Sequence, residues 1–95
     1  MAFRRKATYD LNMNQPVWSW LPGPASLGAA VRDARKRRGL QQGDLAERCG
    51  VARMTISRME RGEAVAMDTA LRALSEVGMS LVAVPMNARV TVTDG

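Results

Sequence analysis

Gln42-Gly43-Asp44-Leu45-Ala46-Glu47-Arg48-Cys49-Gly50-Val51-Ala52-Arg53-Met54-Thr55-Ile56-Ser57-Arg58-Met59-Glu60-Arg61-Gly62 is the stretch that decides the fold. Leu45, Ala46 and Cys49 recur at the spacing of one helical face, so Gln41 or Gln42 begins a short helix that Gly50 closes. Gly50, Val51 and Ala52 separate it from a second helix, predicted from about Arg53 to about Arg61. Ile56 and Met59 point inward there, and Gly62 is the stop. A small residue at Ala46 lets the two helices cross closely. Glycine at Gly50 supplies the positive φ that the turn needs. Val51 and Ile56 fill the space between the helices.

Outward from this centre, the same period continues on both sides. Leu27, Ala30, Val31 and Ala34 recur at three and four and predict a helix capped by Ser26 and ended by Gly39. Arg35, Lys36, Arg37 and Arg38 crowd its C-terminal half, where cations favour the helix dipole. After Gly62 a further helix is predicted from an Asp68 cap to Val77, with Ala70, Leu71, Leu74 and Val77 as its apolar face and Gly78 as a left-handed cap. Then the period changes. Met79 to Val84 and Arg89 to Thr93 read as β-prone runs, and Pro85-Met86-Asn87-Ala88 as a hairpin loop between them. Residues 1–25 have no period and are punctuated by Pro16, Pro22, Gly23 and Pro24. Three segments follow: an irregular basic, Trp-containing arm over 1–25, a helical domain over 26–78, and a β-strand dimerisation segment over 79–95.

Charge and composition narrow the function. The 95 residues predict a single small domain. The net charge is +5, and the excess sits in the middle third, where residues 31–62 carry nine cations and four anions. Such a concentration suits a polyanionic partner. Twelve of the fourteen cations are arginine, whose fork matches phosphate and guanine. With no histidine there is no Ser-His-Asp or Cys-His nucleophilic pair and no histidine-ligated metal. The single cysteine, Cys49, forms no internal disulfide and no cysteine-cluster zinc site. It reads as a small buried hydrophobe, with a redox switch as the alternative. Only four aromatics occur, which disfavours a stacking-based single-strand binder. An enzyme and a bound cofactor are not expected. Neither a signal peptide nor a membrane span is expected, which places the chain in the cytoplasm.

Two short helices joined by a three-residue turn form the DNA-binding helix-turn-helix. Gln42, Ala46, Gly50 and Ile56 match its spacing at steps of four, four and six. Leu27 to Val77 also resembles the Xre/Cro-type helix-turn-helix domain of phage repressors and bacterial regulators. The resemblance rests on Val31-Arg32-Asp33-Ala34-Arg35 with Gly39-Leu40, on Gln42-Gly43-Asp44-Leu45-Ala46 with Gly50-Val51, and on Ile56-Ser57-Arg58-Met59-Glu60-Arg61-Gly62. Met67 to Leu74 followed by Gly78-Met79-Ser80-Leu81 looks like the HipB branch. The family resemblance implies an all-α domain of four to five short helices, like that of lambda repressor. The HipB branch adds a short C-terminal β-strand or hairpin that forms a dimer lid. This chain departs from that branch in its long N-terminal arm and in lacking a long tail after the strands.

Site residues follow from both lines of reading. Arg53, Met54, Thr55 and Arg58 fall on the outward face of the second helix, since Ile56 and Met59 take the inward one, and are expected to touch bases in the major groove. Arg53 and Arg58 can fork onto guanine, and Met54 can meet a thymine methyl. Gln42, Arg61, Arg48 and Arg38 are expected at phosphates, Gln42 and Arg61 by resemblance. Arg35 and Glu60 fall where the family places a partly buried ion pair. Leu81, Val82 and Val84 are the expected dimer interface. The basic cluster Arg4-Arg5-Lys6 reads either as a groove-entering arm or as a solvated tip. Trp18 and Trp20 are expected to dock on the domain or on a partner protein. The whole predicts a homodimeric, sequence-specific repressor of double-stranded operator DNA. The resemblance implies the antitoxin of a HipA-like kinase toxin. Alternatives are an Xre-type regulator with no toxin, or a toxin-neutralising module for which DNA is secondary.

Overall fold

The structure, a computed structural model, describes residues 18–93. Its elements are α1 (Pro24–Arg37), α2 (Gln42–Cys49), α3 (Arg53–Glu60) and α4 (Met67–Glu76). Among the described residues there is no strand. The chain divides into two units. One is Leu21–Leu81, and the other holds the described parts of Met1–Trp20 and Val82–Gly95. The Arg4-Arg5-Lys6 cluster lies outside the described residues.

Within Leu21–Leu81, α1 starts two residues before the predicted cap. Pro24 is its first residue, a position where the missing N–H costs nothing and the fixed φ already suits a helix. Ser26 is therefore not the cap. It sits one turn in and reaches back, its Oγ accepting from the Gly23 N–H at 3.2 Å and donating to the Gly23 carbonyl at 2.8 Å. In α2 the Asp44 carboxylate plays the reciprocal part and accepts from the Gln41 N–H at 2.8 Å. α4 opens at Met67 rather than at Asp68, whose carboxylate accepts from the Thr69 N–H at 2.9 Å within the first turn.

α3 packs against both α1 and α2, and α4 closes the other side of α2 and touches α1. The largest side chains shut off fully from water are Val31 of α1, Leu45 of α2, and Ile56 and Met59 of α3. Burying each contributes roughly 1.5–3 kcal/mol. Leu27, Cys49, Val51, Val65 and Met79 pack around the rim of this core. Burial pushes the Cys49 thiol up from its ordinary value, with Glu76 adding to the shift and Arg72 opposing it.

Two expectations need correcting. The buried face of α4 is Ala70, Ala73 and Leu74, with Val77 just beyond its end, whereas Leu71 is 45% exposed. Residues 70, 73, 74 and 77 complete one stripe at three and four, and Leu71 lies at its edge. The tail forms the predicted turn, the Ala88 N–H donating to the Pro85 carbonyl at 3.0 Å, but no ladder flanks it. Two short runs with no third strand or covering face do not hold a hairpin. In the second unit the Trp18 and Trp20 rings meet edge to face, centroids 5.2 Å apart.

Candidate nucleic-acid interface

The turn between α2 and α3 is made by Gly50, at φ 69° and ψ 32°, a left-handed conformation that side chains with a Cβ avoid. The Val51 N–H returns to the Ala46 carbonyl at 3.0 Å and ties the turn to α2. Ala46 is buried at the crossing. These features fix the angle between the two helices.

A buried polar network then fixes α3 against the rest. Arg35 of α1 donates from Nε to Glu60 Oε2 at 2.7 Å and from Nη2 to Glu60 Oε1 at 2.9 Å. Its third nitrogen, Nη1, donates to the Leu40 carbonyl at 2.8 Å. The fork is bidentate, and Arg35 is only 7% exposed. The Glu60 hydrogen bond holds the Arg35 guanidinium above its ordinary pKa against the opposing cost of burial. Gln42, the first residue of α2, adds a third strut and donates from Nε2 to Glu60 Oε1 at 3.0 Å. Gln42 keeps one N–H for any other acceptor.

On α3, Ile56 and Met59 are fully buried, while Arg53, Met54 and Arg58 are exposed and Thr55 is half-buried. Among the described residues the Arg53 and Arg58 guanidinia make no hydrogen bond and no ion pair. Arg61, just past the end of α3, is engaged. It donates to Ser57 Oγ at 2.9 Å and twice to Glu63 Oε2, at 3.3 and 3.0 Å. Arg48 is exposed near the end of α2, and its carbonyl accepts from Arg72 Nη2 at 3.0 Å. The Arg38 guanidinium lies against Gly78, beyond the C-terminus of α4, where a Cβ would collide with it. A cation suits that negative helix end. Leu81, Val82 and Val84 are all exposed.

Three participants were not singled out from the sequence. Gly28 lies where α1 crosses α3; a Cβ there would strike the Met59 carbonyl oxygen and lie 3.1 Å from the Glu60 Cα. Its signal was available as a glycine inside a periodic helix. Ser57 and Glu63, the partners of Arg61, carried no signal beyond their nearness in sequence. Among the described residues no cluster of three or more His, Cys, Asp or Glu side chains could hold a metal. No helix there is long and apolar enough to cross a membrane.

The profile of the helix-turn-helix family matches residues 31–81, more than half of the chain. The chain belongs to the helix-turn-helix family. The match covers the whole of α2, the turn and α3, so the family's defining unit is the one built above. No curated protein matches the chain. Among solved structures, this helix-turn-helix chain is similar to ClgR, the clp gene regulator from Corynebacterium glutamicum, at 31% identity and a TM-score of 0.57. That match covers 60% of this chain and 62% of ClgR, so the chain spans less than two thirds of that relative's length. It is similar in fold to HipB in its O2 20mer complex, at 23% identity and a TM-score of 0.65, over 72% of this chain and 96% of HipB. It is also similar to SinR, the master regulator for biofilm formation, in complex with DNA, at 25% identity and a TM-score of 0.52, over 57% of this chain and 89% of that one. The helix-turn-helix unit is thus of the Xre type.

Proposed function

We propose that the chain is a dimeric, sequence-specific repressor that reads duplex DNA through α3. One observation carries this reading. α3 buries Ile56 and Met59 completely and leaves Arg53, Met54 and Arg58 exposed. Two forked cations and an apolar tip on one short helix match the acceptor pairs and methyl groups of the major groove. Thr55, half-buried on the same helix, completes the set. Gln42, Arg61, Arg48 and Arg38 serve as phosphate contacts around it.

The dimer is proposed to form through the tail, with Leu81, Val82 and Val84 pairing across a two-fold axis in a β-lid. Their exposure supports this, because a run of apolar residues left in water is a surface awaiting a cover. The segments 1–25, 26–78 and 79–95 act as arm, reader and lid. The likeness in fold to HipB, including HipB in a HipA-HipB-O2-O3 complex, supports an antitoxin role beside a HipA-like kinase.

Binding to the chain's own promoter, followed by gel retardation across a salt series, tests the reading. The operator is expected to contain two half-sites about one or two turns apart. Arg53→Ala and Arg58→Ala should each weaken the selected site by about 1–3 kcal/mol and relax one base position. Equal losses on random sequence would reduce both to phosphate contacts.

A further inference from the structure

We propose that Glu63 is a charge brake on DNA binding: it occupies the guanidinium of Arg61 and so lowers the strength with which α3 holds any duplex. The inference rests on the DNA-binding reading above.

Arg53 and Ser57 of α3 and Arg61 just past its end follow one another at steps of four, with Arg58 beside them. Three cations therefore line this surface, and the structure treats them differently. Among the described residues Arg53 and Arg58 have no anionic partner. Arg61 has one, since Glu63 Oε2 accepts from both its Nε and its Nη2. The third nitrogen is turned to Ser57 Oγ, so each nitrogen of the fork makes a bond within the chain and one N–H remains on each Nη. Glu63 is not free to swing away at its backbone. Its N–H donates to the Arg58 carbonyl at 3.0 Å, which fastens the residue to the end of α3.

Both side chains are about half exposed, at 56% for Arg61 and 51% for Glu63. Water screens such a pair, so a DNA phosphate can displace the carboxylate. Displacement has a consequence that Arg53 and Arg58 do not face. The released carboxylate stays next to a polyanion. The interface therefore gains less from Arg61 than from a guanidinium with no counter-charge. Because phosphates carry no sequence, the brake acts on all duplexes alike.

Anisotropy of a labelled mixed-sequence duplex with the full chain, from about 50 to about 200 mM salt, tests this. Glu63→Gln should bind more tightly than the native chain, with a log–log salt slope steeper by about one. Its advantage should then shrink about fourfold across that range. Glu63→Ala, which also removes the acceptor oxygens, should change binding in the same direction. Adding Glu63→Gln to Arg61→Ala should gain clearly less than Glu63→Gln gains in the native chain, because no guanidinium is left to release. Thermal midpoints of the Glu63 variants should match that of the native chain. If both Glu63 variants bind with native affinity and slope, the brake is refuted while DNA binding stands. An equal gain in the Arg61→Ala background also overturns it, because Glu63 then acts as general surface charge. If no variant binds duplex, the native chain included, both readings fall.

Discussion

Arg35 can lie away from water because its fork is matched on every side: two nitrogens meet Glu60 and the third meets the Leu40 carbonyl. Such a pair is costly to break from one side. Arg35→Ala strands the Glu60 carboxylate and should destabilise the fold by about 3–5 kcal/mol, read as a lowered urea midpoint. The double variant Arg35→Met/Glu60→Leu should recover much of that loss, because no charge is then left behind. The salt slope of DNA binding should not change in any variant that still folds. An unaltered urea midpoint with a shallower slope would make Arg35 a phosphate contact instead. The ion pair was expected from the family resemblance, but the part of Gln42 in it was not. Gln42 and Glu60 are eighteen residues apart, and nothing in either segment announces that one amide reaches the other.

At the scale of elements, the crossing of α1 over α3 is set by backbone, not by side chains. Gly28 is what permits it, since a Cβ would meet the Met59 carbonyl. Gly28→Ala gains up to about 1 kcal/mol in helix propensity. It should nevertheless lose about 1–3 kcal/mol in overpacking, so calorimetry should show a lower melting temperature. A raised one would mean that the two backbones are not in touch. The middle helices were legible in the sequence because their apolar positions have one period and a glycine closes each. The starts of α1 and α4 were displaced because each begins without a side-chain cap, at Pro24 and Met67. Ser26 and Asp68, the residues that look like caps, lie inside the first turn. The β-prone runs of the tail find no strand to pair with among the described residues of a single chain. Alternating valines specify a strand only when another strand is there to pair with, and the turn at Pro85 to Ala88 does not supply that pairing.

At the scale of the molecule, the proposed lid makes operator symmetry depend on a few exposed apolar residues. Leu81→Asp places a charge in that lid and should give a chain that sediments as a monomer at micromolar concentration. Helical circular dichroism should persist, since Leu81 is exposed and lies beyond α4. Tight operator binding should be lost. A chain lacking residues 79–95 that still sediments as a dimer would move the interface to α4, where Met67 and Leu71 are also exposed. The division of α3 into a buried face and an unpartnered one has a consequence for descent as well as for binding. Ile56 and Met59 answer for folding, whereas Arg53, Met54 and Arg58 answer to nothing inside Leu21–Leu81. Under the proposed reading, a lineage exchanges one target for another by single substitutions at 53, 54 or 58, each passing through a folded protein, so the fold outlasts any one target.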